Sequence, residues 1–129
     1  MIPFLDLKSI NQTYRDELTS ACQRVIDSGW YIMGTEVKEF EKAFADYCGV
    51  AYALGVASGL DALSLVLRAW KEMGKINSGD EVIVPANTYI ASILAISDNG
   101  LVPVLVEPCE ESYNLTEDGI RKAITEKLR

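Results

Sequence analysis

The sequence predicts an α/β protein built on a mostly parallel sheet covered by helices. Two observations carry that expectation. Short, almost wholly apolar stretches at 51–56, 81–84 and 101–106 alternate with segments whose apolar residues recur every three to four positions. Turn-forming residues stand at the joints: Ser58-Gly59, Pro85 and Asn99-Gly100. A strand that is apolar on both faces has to be buried on both, and a parallel strand needs a crossover, usually a helix, to reach its neighbour.

The elements follow in order. Ile10, Tyr14, Leu18, Ala21 and Val25 share one face of a helix predicted over 9–27. The Ser28–Gly34 stretch, SGWYIMG, interrupts that period with two glycines around aromatics. Thr35 then caps a second helix whose Val37, Phe40, Phe44 and Tyr47 line up, and Gly49 ends it. Residues 1–49 thus read as a helical segment and 50–129 as the α/β portion of one domain. In that portion the strand at Ala51 to Val56 feeds a helix with Leu63, Val66, Leu67 and Trp70 in register. Lys71 to Asp80 is the most loop-like connection. A strand at Glu81 to Val84 stops at Pro85, a helix runs from Tyr89 to Ile96, and a strand follows at Leu101 to Val106. Thr116 caps a last helix along Ile120, Ile124 and Leu128.

Composition excludes several kinds of chemistry. The formal charge of −7 opposes general affinity for nucleic acid or an anionic membrane. With no histidine in the chain, the Ser-His-Asp and Cys-His hydrolase arrangements lack their base. Cys22, Cys48 and Cys109 are widely spaced and form no CxxC pair, which points to reduced thiols rather than a disulfide framework or a zinc site. No stretch approaches the roughly 20 apolar residues of a membrane span, and the amino terminus MIPFLDLK does not read as a secretory leader, so a cytoplasmic location is expected. Any chemistry has to come from a cofactor or from another segment.

Two turns are candidates for holding such a group. At Ser58-Gly59-Leu60-Asp61 the free amides of Gly59, Leu60 and Asp61 are placed to converge on an anion at the positive end of a helix. The same residues equally describe a plain capped turn with Ser58 as N-cap, and the Asp61 carboxylate opposes a phosphate unless it points away. Pro85-Ala86-Asn87-Thr88-Tyr89 also lies at the carboxyl end of a strand, the edge where open α/β sheets bind ligands. Its Tyr89 suits stacking on an aromatic group, or a place in the core at the start of an apolar helix. Trp30 and Tyr31 either shape a substrate or partner surface or pin their loop to the core. Glu107, Glu110 and Glu111 read as a solvated loop.

Taken in order, PFLDLK, SGWYIMG, ASGLDAL, GDEVIVPANTYIAS and PVLVEP resemble the DegT/StrS family of nucleotide-sugar aminotransferases. One such motif is weak, whereas five in sequence and at family spacing, spanning nearly the whole chain, are specific. The resemblance implies a pyridoxal 5'-phosphate (PLP) enzyme of fold type I, the chain supplying the N-terminal part of the large domain. It implies a dimeric or otherwise homo-oligomeric enzyme that moves an amino group, usually from glutamate, onto a keto-sugar carried by a nucleoside diphosphate, in deoxyamino-sugar and surface polysaccharide biosynthesis. Carried over residue by residue, the amides of Gly59, Leu60 and Asp61 hold the PLP phosphate and Tyr89 stacks on the pyridine ring; Trp30 and Tyr31 stay candidates for the substrate surface on their own loop chemistry. Many relatives have threonine where this chain has Leu60, so a hydroxyl contact is lost while the backbone amide remains. The GLDAL form resembles members acting on 3-keto-6-deoxy sugars.

By the same resemblance, the family's Schiff-base lysine and the aspartate facing the pyridinium nitrogen fall beyond Arg129. Lys122 and Lys127, on a surface-type helix face, do not replace the lysine. The 129 residues are therefore expected to be a truncated, inactive portion of such an enzyme. Two other readings stand beside it: a non-catalytic α/β binding or interaction module, and a PLP sugar dehydratase on the same scaffold. The family's sheet order separates the 51–56 strand from the pair at 81–84 and 101–106, which predicts either re-pairing of that strand or closure by self-association.

Overall fold

A computed structural model describes residues 4–129. The chain forms two compact units, Met1–Gly55 and Val56–Arg129.

The first unit is helical. Asp6 accepts the Ser9 amide at 3.0 Å and starts α1 (Leu7–Thr13) earlier than the apolar period alone suggests. In place of one helix over 9–27 there are two, because Tyr14 (φ −110°, ψ 17°) leaves helical geometry before α2 (Arg15–Ser28) begins. The break follows a run of Asn11, Gln12 and Thr13, of which Asn and Thr are poor helix formers. In α3 (Thr35–Cys48) the cap is extended Gly34 rather than Thr35, which is the first helical residue. Gly49 closes α3 in the left-handed region at φ 67°, as its position predicts. Along α3, Phe40 and Phe44 stack with centroids 5.5 Å apart, and Tyr47 continues the row at 6.4 Å from Phe44.

No strand forms at 51–56. Among the described residues this stretch has no ladder partner, and the Gly55 amide instead donates to the Glu41 carboxylate at 2.7 Å. Apolar composition supplies a reason to be buried but not a neighbour to pair with. The expected re-pairing of the strand therefore does not occur.

The second unit is the α/β portion. Ser58 caps α4 (Gly59–Glu72), a connection leads to β1 (Glu81–Pro85), and α5 (Ile90–Asp98) crosses over to β2 (Val102–Val106). The two strands pair in parallel, in register from Glu81 with Val102 to Pro85 with Val106. Pro85 ends the strand from within it, since the next amide, on Ala86, still donates to the Val106 carbonyl at 2.9 Å. Leu67, Ile76, Val84, Ala95, Ile96 and Leu101 form the core, with Leu60, Val82 and Ile93 packed against it. Cover is partial, for Val102 and Leu105 stay exposed.

Thr116 accepts the Gly119 amide at 3.1 Å and caps α6 (Glu117–Ala123), as expected. The helix then stops two turns in. Ile124 is extended, and Leu128 bridges Glu81 in parallel, with the Glu81 amide donating to the Lys127 carbonyl at 2.9 Å and the Arg129 amide to the Glu81 carbonyl at 3.1 Å. Ile124, Leu128 and Lys127 therefore lie off the helix face assigned to them. The open edge of β1 offers these residues backbone partners, and the Thr125 hydroxyl, which donates to the Glu81 carboxylate, fixes the change of direction.

Replacing Thr116 with Ala should lower the urea midpoint by the equivalent of about 1 kcal/mol with an unchanged denaturant slope. An unaltered midpoint would show that the cap does not hold α6 in place.

Candidate functional site

The amino ends of α4 and α5 build the site in the second unit, the head of α5 following the carboxyl end of β1. An open recess of about 740 Å³ lies between the two helix starts, lined by Ser58, Gly59, Leu60 and Leu63 from α4 and by Tyr89, Ile90, Ala91, Ser92 and Leu94 from α5. Its walls are apolar and its polar groups gather at the helix ends.

At the head of α4, Ser58 Oγ accepts the Asp61 amide at 3.2 Å and donates to the Asp61 carboxylate at 2.9 Å. Of the three amides predicted to face an anion, that of Asp61 is thus engaged by the cap. Those of Gly59 and Leu60 make no hydrogen bond among the described residues. They are the open donors of the first turn, where the helix dipole is positive. Gly59 has open space where a Cβ would stand, so its glycine identity is not demanded by crowding. The Leu60 side chain packs toward the core and anchors the turn from below.

Tyr89 is the N-cap residue of α5, extended at φ −66° and ψ 143°, and is 79% exposed at the rim of the recess. Its ring is available to a ligand rather than spent in the core. The Thr88 and Ser92 hydroxyls, one residue before Tyr89 and three after it, lie 3.0 Å apart. The Asn87 carboxamide donates to the Tyr113 carbonyl at 3.2 Å, tying the β1–α5 turn to the β2–α6 loop, where Tyr113 is left-handed at φ 57°. The sequence places Asn87 within a candidate turn without giving it a role of its own, and does not single out Ser92. The three-residue spacing from Tyr89 to Ser92 signals a shared helical face, but nothing in the sequence pairs Asn87 with Tyr113.

The structure thus brings Gly59, Leu60 and Tyr89 to one recess. Asp61 lies beside it, on a surface shared with Ser64 and Arg68. Trp30 and Tyr31 belong to the helical unit, each 67% exposed. Their loop is rigidly built: the Trp30 indole donates to the Ile32 carbonyl at 2.6 Å, Met33 is left-handed at φ 52°, and a Cβ on Gly34 would sit 2.9 Å from the Trp30 carbonyl oxygen. Arg24 grips Glu36 through two hydrogen bonds of 2.6 and 3.1 Å, joining α2 to α3 across the loop. That contact holds the Glu36 carboxyl below its ordinary value and lifts the Arg24 guanidinium.

Residues 12–129 match the DegT/DnrJ/EryC1/StrS aminotransferase family. The chain belongs to that family. Over all of its 129 residues this DegT/DnrJ/EryC1/StrS chain is 57% identical to the dTDP-3-amino-3,6-dideoxy-alpha-D-galactopyranose transaminase of Aneurinibacillus thermoaerophilus, covering 34% of that protein. It is 49% identical to S. venezuelae DesV, solved in complex with a ketimine intermediate, with a TM-score of 0.86 over 99% of this chain and 33% of that one. The E. coli GDP-4-keto-6-deoxy-D-mannose-3-dehydratase, solved with bound hydrated PLP, is 32% identical with a TM-score of 0.77 over 84% of this chain and 28% of that one. The chain spans about a third of the length of such relatives.

Two measurements check the aromatic loop. Gly34→Ala has to displace backbone rather than a flexible side chain, and should cost about 1–3 kcal/mol in urea unfolding; an unchanged midpoint would mean the loop yields freely. Because Glu36 titrates lower when folded than when unfolded, its pair with Arg24 stabilises the chain above the ordinary carboxylate pKa and that contribution is lost as pH falls through the lowered one. Glu36→Gln should therefore unfold less steeply with acid than the wild type, and an identical acid limb would count against the pair.

Proposed function

We infer that this chain forms the N-terminal part of the cofactor domain of a PLP-dependent aminotransferase, one that moves an amino group from glutamate to a nucleotide-linked keto-sugar in deoxyamino-sugar and surface polysaccharide biosynthesis. One observation carries the reading. Two unpartnered helix amides and an exposed tyrosine border a single apolar recess, a donor set that suits a phosphate attached to an aromatic ring. Family membership and relatives that handle PLP support it.

In this reading the Gly59 and Leu60 amides would hold the PLP phosphate and Tyr89 would stack on its ring. Leu63, Ile90 and Leu94 keep water from one side. Asp61 acts through the Ser58 cap, leaving its carboxylate occupied by the Ser58 hydroxyl. PLP, when bound, supplies the electron sink for amino transfer. Trp30 and Tyr31 contribute exposed aromatic surface to the sugar nucleotide, for which the relative acting in 3-amino-3,6-dideoxygalactose formation favours a dTDP-linked 3-keto-6-deoxy hexose. The working enzyme is a cytoplasmic homo-oligomer. Dehydration of a keto-sugar is the second reading, favoured by the solved dehydratase of the same fold.

A polypeptide of these 129 residues should bind PLP weakly and lose it on dialysis, because in this reading the lysine that anchors it in the family falls beyond Arg129. Tyr89→Ala should weaken that binding by about 1 kcal/mol, roughly fivefold. Borohydride reduction should label lysines at scattered, substoichiometric positions, and a dTDP-linked keto-sugar with glutamate should not turn over. Stoichiometric labelling of one lysine together with turnover would overturn the inactive reading; no PLP binding at all would remove the cofactor assignment.

A further inference from the structure

The recess is framed by two helices of separate origin, one preceding β1 and one joining β1 to β2. Its shape therefore depends on how α4 and α5 are registered against each other. Leu67 and Ile96 meet in the core between them, yet apolar contact alone fixes axial register loosely, since it is non-directional.

A directional tie stands at the carboxyl end of α5. The side-chain amide of Asn99 donates to the Ala95 carbonyl of its own helix at 2.8 Å and to the Ser64 carbonyl of α4 at 3.2 Å. Ala95 is among the last four carbonyls of α5, which lack a regular intrahelical partner, and the Asn99 backbone amide goes to the Ile96 and Ser97 carbonyls instead. Lys71, near the end of α4, donates through Nζ to the Asn99 carbonyl and to Ser78 Oγ at 3.0 Å. One residue is thus held by α4 at two places, Ser64 and Lys71, while it closes α5. All three bonds of Asn99 to these partners are partly buried, where a hydrogen bond is less diluted by water.

We propose that Asn99 is a positioning residue for the cofactor recess: it sets the spacing between the Gly59–Leu60 amides and Tyr89 by locking α4 to α5. The proposal rests on the PLP reading above. Asn99 touches no part of the recess and acts only through the two helices.

The test separates register from stability. PLP affinity is measured by equilibrium dialysis at a temperature where circular dichroism shows every variant folded, for the wild type, Asn99→Asp, Asn99→Ala and Lys71→Met. Ile76→Val, a core change outside both helices, serves as a control of lowered stability. Asn99→Asp keeps the side-chain shape but loses both amide donors, and faces two carbonyls with a negative charge. The expected result is a loss of PLP affinity of about threefold to tenfold in Asn99→Asp and a smaller loss in Lys71→Met, with Ile76→Val binding as the wild type does. Hydrogen exchange at the Ser64–Leu67 amides of α4 should rise in the Asn99 variants. Wild-type affinity in Asn99→Asp and Asn99→Ala, or an equal loss in Ile76→Val, would overturn the positioning role while leaving the cofactor site intact. Failure of the wild type itself to bind PLP would remove both.

Discussion

Parallel pairing of β1 with β2 obliges the chain between them to travel back along the sheet before the second strand starts. Here α5 makes that return, and its head carries one side of the site. With both strands pointing the same way, the turns that follow them open at one edge. Tyr89 stands there at the head of α5, and Asn87 reaches across to Tyr113 in the turn after β2. The head of α4 meets α5 at the same edge, which is why two stretches of sequence thirty residues apart share a recess.

The parts that were legible in the sequence are those decided by local chemistry. Ser58 and Thr116 carry oxygens where a helix start needs an acceptor, Gly49 and Gly100 adopt the left-handed conformation that closes a helix, and the β1 and β2 stretches read as strands, though not as fully covered as their apolar composition predicts. What escaped the sequence depends on a partner elsewhere in the chain. The 51–56 stretch is largely apolar, as β2 is, but a strand is defined by its neighbour's backbone, and among the described residues none pairs with it. Leu128 falls in phase with a helix and yet is drawn to the vacant edge of β1. The Asp61 amide is likewise indistinguishable in sequence from those of Gly59 and Leu60; only the direction of the Ser58 hydroxyl decides that it is taken.

The aromatic loop of the helical unit obeys a different economy. Trp30 and Tyr31 are exposed, but their backbone is fixed by the Ser28 hydroxyl, which accepts the Trp30 amide at 3.0 Å, and by the indole bond to Ile32. Gly34 admits the Trp30 carbonyl closer than any side chain permits. Ordering of this kind usually accompanies burial. A loop whose backbone is ordered while its rings stay exposed loses little further entropy when those rings are covered, the condition under which aromatic surface binds well.

The recess itself makes two demands that no simple occupant meets together. Helix amides without partners favour an anion, and a bare inorganic phosphate would satisfy them while leaving the Leu63, Ile90 and Leu94 walls wet. A purely apolar molecule would dry those walls and strand the amides, at the cost of an unsatisfied buried donor, about 1–3 kcal/mol each. A molecule with a phosphate at one end and a flat ring at the other resolves the conflict, provided its two ends are separated as the amides are from Tyr89. That separation belongs to neither turn. It is set by the packing of α4 on α5, so the binding chemistry written in two short motifs becomes a site only through helix contacts that those motifs do not contain.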